Sequence, residues 1–294
     1  MHLDTIDPIY IENKLKSTVS GIRVIFKDET GSTNEDALSM LAEGSGPVLV
    51  IADKQLKGRG RRGRDFYSPK GTGLYLSLAM PGAKELMETG KVTATAAVAV
   101  ATAIDEAVFS GISTSLIKWV NDIYLGDRKV CGILTEARLP VLSEANDDTK
   151  DDKGCVVVGI GVNVYEPEGG FPEGIADKAG YLIPLDRVDE MMGLRAQHVG
   201  ERTDHAFMLR SELAAGIVRN FFHYLNRQDE SLKIYREKSN LIGSAVRINT
   251  FADPDIPQRI ATVLGIDDDC GLIVEYEDGS REVLSSGEVS VIKN

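Results

Sequence analysis

The sequence predicts an α+β fold with a small all-β unit at its carboxy end. Three observations carry this expectation. Apolar residues alternate over several short runs. Gly73 to Met80 is the cleanest, with Leu74, Leu76, Leu78 and Met80 on one face and Tyr75, Ser77 and Ala79 on the other. Longer stretches rich in Ala, Val and Leu carry helical spacing. Beyond Ile242 the texture changes to short strands alone, with Asp278-Gly279 as a hairpin turn.

In chain order, residues 1–20 read as a short polar lead. Ile22 to Lys27 is a strand with Ile22, Val24 and Phe26 on one face. Ser32 and Glu35 form the pattern of a capping box, opening a helix with Ala37, Leu38 and Leu41 inward. The Ser32 and Thr33 hydroxyls either cap only or face a ligand together with the helix-end amides. Pro47 to Asp53 is a strand. Thr93 to Val108 is a core helix by composition. Leu116 to Val120 and Ile123 to Leu125 are strand-like. The turn Gly126-Asp127-Arg128 then returns the chain along Lys129 to Ala137, so that Lys118 and Lys129 reach one side of a sheet.

Ser143 to Lys153 is an acidic loop. In Cys155 to Val164, the residues Val156, Val158, Ile160, Val162 and Val164 form a buried face, while the other thins to Gly159, Gly161 and Asn163. Glycines in a strand serve a ligand or a closely packed helix equally well. Glu166 to Gly180 is a Gly/Pro loop. Thr203 to Arg227 is a helix with Ala206, Leu209, Leu213, Ile217, Phe221 and Tyr224 inward. The strands of the last unit are Ala245–Asn249, Arg259–Leu264, Leu272–Tyr276, Arg281–Leu284 and Val289–Ile292.

The chain has 294 residues, 43% of them apolar, enough for a large unit and a small one with a substantial core. Its net charge of -12 argues against broad nucleic-acid binding, which needs a basic face. Three scattered cysteines exclude a disulfide framework, and four scattered histidines give no zinc pattern. The acidic start is no signal peptide, and the apolar tract Thr93 to Ile104 is too short to span a bilayer, so a reducing cytoplasmic setting is expected.

Against this acidic body stands Gln55 to Tyr67, Q-L-K-G-R-G-R-R-G-R-D-F-Y. Between Lys57 and Arg64 every residue is Lys, Arg or Gly. Glycine allows close backbone approach, and arginine presents a planar fork to phosphate and carboxylate. The stretch reads as a mobile loop that closes over an anion. An exposed turn or an RNA-binding Arg/Gly tract is the plainer alternative.

Four stretches, S-T-N at Ser32 to Asn34, Q-x-x-G-R-G-R-R-G-R at Gln55 to Arg64, K-W-x-N-D at Lys118 to Asp122 and G-I-G-V-N at Gly159 to Asn163, stand in one order. Together they closely resemble biotin protein ligases, also called biotin–[acetyl-CoA-carboxylase] ligases. The resemblance implies a mixed, largely antiparallel central sheet with flanking helices, of the class II synthetase-like kind, in a catalytic unit at 1–241. It implies an SH3-like β-barrel at 242–294. It also implies that biotin and ATP, with Mg2+, form biotinyl-5′-AMP, and that a lysine of a biotin carboxyl carrier protein or domain then takes the biotin.

Matched by position, Ser32, Thr33, Asn34, Gln55, Gly58, Arg59, Gly60, Arg61 and Lys129 are expected at biotin. Arg61, Arg64, Phe66, Lys118, Asn121 and Asn163 are expected at the nucleotide, and Lys129, Arg59 and Arg61 at the reacting atoms. No protein-bound metal is expected. Val120 stands where the family has proline, and Phe66 where it usually has tryptophan. The resemblance is to the short form, without a DNA-binding domain, a DNA partner or a membrane partner. The rivals are a lipoate or octanoate ligase or transferase, a nucleic-acid binder using the basic loop, and an inactive adaptor.

Overall fold

The computed structural model describes residues 4–43, 46–82, 88–138, 154–188, 208–249 and 259–292. The acidic stretch Ser143 to Lys153 and the first part of the helix expected from Thr203 lie outside them.

The helices are α1 (Pro8–Leu15), α2 (Thr33–Ala42), α3 (Thr89–Phe109), α4 (Leu209–Leu225) and α5 (Gln228–Glu237). The strands of the larger sheet are β1 (Arg23–Lys27), β2 (Val48–Ala52), β3 (Gly73–Pro81), β4 (Leu116–Lys118), β5 (Asp122–Leu125), β6 (Arg128–Arg138) and β7 (Cys155–Asn163). They lie in the order β1-β2-β3-β7-β6-β5-β4. The β1–β2 pair is parallel and every other pair is antiparallel, a mixed sheet as expected.

The alternation read from the sequence decides which face each strand buries. Leu74, Leu76 and Leu78 of β3, Val156, Val158 and Val162 of β7, and Leu49 and Ile51 of β2 join the main core. On that face lies α3, whose Val92 to Ala101 run is buried throughout and which packs along α4. At 21 residues α3 is long and apolar enough to cross a membrane, and here 72% of its most apolar window is buried within the protein. Among the described residues, the one helix on the opposite face of the sheet is α2. Its Ala37 and Leu41 pack on Val48, Val50, Ala79 and Val157 in a second, small apolar cluster. The rest of that face is left for the site.

Two expectations need correction. Residues 1–20 are not a mere polar lead. Asp7 caps α1 by accepting from the amides of Ile9 and Tyr10, at 2.8 and 3.1 Å, and Ile11 and Leu15 are fully buried. One eight-residue turn pair shows too few apolar repeats to be read from periodicity. Nor is there a capping box: Ser32 is the N-cap of α2 by backbone, but its side chain makes no capping hydrogen bond.

The carboxy-terminal unit is a five-stranded antiparallel sheet of β8 (Ala245–Asn249), β9 (Arg259–Ile266), β10 (Leu272–Tyr276), β11 (Arg281–Leu284) and β12 (Glu288–Val291), in the order β11-β10-β9-β8-β12. Gly279, at φ 80°, makes the β10–β11 turn where Asp278-Gly279 was expected. Val246, Val263, Leu272, Val274 and Val289 join the same core as the large sheet. Trp119 ties the two by donating its indole N–H to the Cys270 carbonyl at 2.9 Å.

Candidate active site

Glycine carves the floor. Gly159 and Gly161 of β7 and Gly132 of β6 face away from the core, and Gly132 pairs directly with Gly161. A Cβ on Gly161 would lie 2.5 Å from the Phe66 ring, and one on Gly159 would overlap Asn34 Oδ1. A Cβ on Gly132 would meet Lys129 Nζ at 3.2 Å and Phe66 at 3.3 Å. Both readings hold: bare Gly159 lets the first turn of α2 sit on the strand through Asn34, while Gly161 and Gly132 leave room for the Phe66 and Lys129 side chains of the site.

The basic loop folds back over this floor as a small hairpin. Arg59 bridges to Asp65, the Gly60 amide donates to the Arg64 carbonyl at 2.7 Å, and the Phe66 amide donates to the Gly58 carbonyl at 2.8 Å. Arg62 at φ 61° and Gly63 at φ 71° make the tip. The resulting cleft is lined by Ser32, Thr33, Asn34 and Gln55 at one end. Lys118, Asn121, Lys129 and Glu288 line the other, with Arg59, Gly60, Arg61, Arg64 and Phe66 above. Lys118 and Lys129, on either side of the β5 hairpin, do reach one side.

The polar end is fully wired. Gln55 Oε1 accepts from the Thr33 amide and hydroxyl, both at 3.0 Å, while its Nε2 donates to Ser68 Oγ at 3.1 Å. The buried Ser77 hydroxyl lies 2.7 Å from Thr33 Oγ1 and 2.6 Å from Asn34 Oδ1. Asn34 Nδ2 donates to Glu136 Oε2 at 2.7 Å.

The cationic end holds its charges against resting partners. Arg61 donates to Asn121 Oδ1 at 3.2 Å, and Asn121 in turn donates to the Ile133 carbonyl at 2.8 Å. Burial lowers the pKa of Arg61 and of Lys118, so both lie in a poorly solvated place where an added anion is welcome. Lys129 Nζ is 2.7 Å from Asp122 Oδ1. Arg64 is gripped by both oxygens of Glu288, which raises the arginine's pKa and lowers the carboxylate's.

Such a cleft pairs an amide-and-hydroxyl end with a cationic end under a basic loop. Two family models match the chain: the Biotin/lipoate A/B protein ligase family over residues 25–146 and the Biotin protein ligase C terminal domain over residues 241–291. The bifunctional ligase/repressor BirA of Bacillus subtilis (strain 168) is 32% identical over 275 residues, 92% of this chain and 75% of that protein. The chain belongs to the biotin protein ligase family. The biotin–[acetyl-CoA-carboxylase] ligase of Mycobacterium tuberculosis is 28% identical, over 89% of this chain and 86% of that one. The biotin protein ligase of Aquifex aeolicus, solved with biotin and ATP, shares the fold at a TM-score of 0.65 and 24% identity, covering 92% of this chain and 99% of that one.

In this ligase two of the expected site residues do not line the cleft. Gly58 sits beneath the loop, where a Cβ would press on Ser68 Oγ at 2.6 Å, so it is needed for the loop's fold. Asn163 donates to the Gly180 carbonyl at 2.9 Å. The Gly180 amide donates to the Lys129 carbonyl and the Lys129 amide to the Lys178 carbonyl, both at 2.8 Å, so Asn163 braces the strand that carries Lys129.

Asp122 and Glu288 line the cleft, and Ser77 and Glu136 back its polar end by bonding Asn34; all four were missed. Asp122 ends the quoted K-W-x-N-D. Glu136 follows Gly132 and Leu134 at period two, a signal that points it to the same face. Glu288 lies far along the chain on another sheet, and no local pattern marks it.

Proposed function

We propose that this chain joins biotin to ATP as biotinyl-5′-AMP and passes the biotinyl group to a lysine of a biotin carboxyl carrier protein or domain. The observation that carries the reading is the meeting of Arg59, Arg61, Arg64, Lys118 and Lys129 around one cleft whose far end is lined by the hydroxyls and amides of Ser32, Thr33, Asn34 and Gln55. The reaction brings a carboxylate against a polyphosphate. Fixed cations in a sheltered site neutralise the charge that builds as the carboxylate oxygen attacks the α-phosphorus and pyrophosphate departs.

On this reading Ser32, Thr33, Asn34 and Gln55 hold the cyclic urea, which needs donors and acceptors side by side. Arg59, Gly60 and Arg61 lie over the carboxylate and α-phosphate. Lys129 steadies the reacting carbonyl and phosphate oxygens, and Asp122 keeps its ammonium pointed there. Phe66 covers the adenine, with Arg64, Lys118 and Asn121 toward the phosphates. No side-chain nucleophile is required, since the acyl group stays on AMP until the carrier amine attacks its carbonyl and AMP leaves.

Among the described residues no cluster of three or more His, Cys, Asp or Glu could hold a metal ion by itself. On this reading Mg2+ arrives on the triphosphate, where it needs few protein ligands. We assign catalysis to 1–241 and a supporting role to 242–294. The three free thiols suit a reducing, cytoplasmic setting. The acidic body offers DNA no broad basic face.

The test is incubation with ATP, a carrier domain and either biotin or lipoate, read by intact mass. A biotin-sized gain on the carrier and biotin-dependent exchange of pyrophosphate into ATP are expected. Addition of lipoate alone, or no exchange with biotin, overturns the reading.

A further inference from the structure

Glu136 lies outside the four sequence motifs, yet it touches two of them at once. Its Oε2 accepts from Asn34 Nδ2 at 2.7 Å and stands 3.5 Å from Arg59 Nη2. Glu35 supplies Arg59 with a second, more exposed carboxylate at 3.7 Å. Asn34 itself is buried, its Oδ1 above Gly159 and 2.6 Å from Ser77 Oγ.

A carboxamide is nearly symmetric in shape and opposite in polarity at its two ends. Ser77 does not settle which way Asn34 points, because a hydroxyl donates or accepts as required. Glu136 does. An ionised carboxylate accepts only, so it takes the NH2 end and would repel the carbonyl oxygen. With Nδ2 turned to Glu136 and Oδ1 to Ser77, Asn34 has one N–H and one lone pair left to offer. That is the complement of a group carrying C=O and N–H side by side.

We infer that Glu136 is a positioning residue that fixes the polarity of the Asn34 carboxamide and thereby selects an acid whose head carries adjacent C=O and N–H groups. The inference rests on the proposed reading of the site and names a further residue for its acid-binding end. The same oxygen gives Arg59 a resting counter-charge, which holds the basic loop over the cleft before an anionic substrate arrives.

The experiment is a double-mutant cycle on the full chain, reading acid binding by calorimetry without ATP. The variants are Glu136→Ala, Glu136→Gln, Asn34→Ala and the double Ala variant. Glu136→Ala is expected to weaken biotin binding about tenfold or more, the usual cost of a lost hydrogen bond to a charged group. Glu136→Gln, whose own carbonyl can accept from Asn34 Nδ2, is expected to recover most of the loss. In the double variant the two losses should fail to add, because Glu136 acts through Asn34. A purely structural role for Glu136 would instead show losses that add to those of Asn34→Ala. Unchanged biotin affinity in Glu136→Ala, or strict additivity with Asn34→Ala, overturns the inference. A wild-type chain that binds lipoate and not biotin overturns both the C=O/N–H selection and the functional reading. Wild-type biotin binding with additive losses overturns the inference alone.

Discussion

Arg64 and Glu288 meet across 224 residues of chain, one in the basic loop and the other at the start of β12. The guanidinium lies in a two-point grip, with Nη1 to Oε1 at 2.9 Å. Arg64 is otherwise 60% exposed, so Glu288 is what keeps its fork over the cleft. The carboxy-terminal sheet thereby closes the cationic end of the site. Glu288→Ala should leave Arg64 free to swing in solvent and raise KM for ATP by about fivefold, the scale of ordering one long side chain. Biotin binding, measured separately, should stay within about twofold. Equal losses for both substrates would place Glu288 in folding and not at the nucleotide.

Lys129, held 2.7 Å from Asp122, is the residue that the proposed reading sets where two anions meet. Lys129→Ala is expected to slow adenylate formation by roughly a hundredfold or more, the range for one lost transition-state donor. Asp122→Asn should cost less, because the ammonium remains and only its aim is relaxed. Pyrophosphate release near the wild-type rate in Lys129→Ala would remove this lysine from the chemistry.

The glycine floor offers a sharper division. A methyl on Gly161 would press on the Phe66 ring at 2.5 Å, and one on Gly159 would overlap Asn34. Overpacking costs about 1–3 kcal/mol, or roughly five- to a hundredfold in binding. Gly161→Ala should therefore weaken ATP, and Gly159→Ala should weaken biotin, each with the other substrate little changed. Calorimetry on both variants decides this, and the same loss for both ligands from either change would refute the division.

Most of the catalytic sheet was legible, because its strands bury one face and alternate visibly, as Leu74, Leu76 and Leu78 against Tyr75 and Ser77 show. The residues named for the cleft were legible as wording. Gly161, Arg64 and Lys118 sit in short motifs whose composition has no purpose in a plain core. What could not be read was long-range partnership. Glu288 faces Arg64 through the docking of a second sheet, and Asn163 supports Lys129 through the Gly180 carbonyl. Neither relation leaves a trace at any fixed spacing. Helix α1 escaped for a different reason: only Ile11 and Leu15 are buried on it, too short a pattern to separate from a loop.

The helix α1 segment is anchored by a buried charge cluster that predicts a pH dependence of stability. Asp4 Oδ2 accepts from the Arg210 amide at 2.8 Å and the Tyr165 hydroxyl at 2.9 Å, while Oδ1 is buried with no partner among the described residues. Arg210 is itself held by Asp53 at 2.7 Å. Burial, the largest influence, raises the Asp4 pKa from 3.8 to about 6 against the opposing pull of Arg210. The folded protein thus binds a proton that the unfolded chain has already lost between those values. The stability contributed by protonated Asp4 is fully present below the lower value and is lost as pH rises through the upper one. Asp4→Asn removes this titration and keeps an acceptor for the Arg210 amide. Its melting temperature should gain several degrees on the wild type between about pH 4 and about pH 7, from a shift worth about 1.4 kcal/mol per unit. Scanning calorimetry of both proteins across that range makes the comparison, and a difference in melting temperature that stays flat with pH would show that Asp4 is ionised throughout.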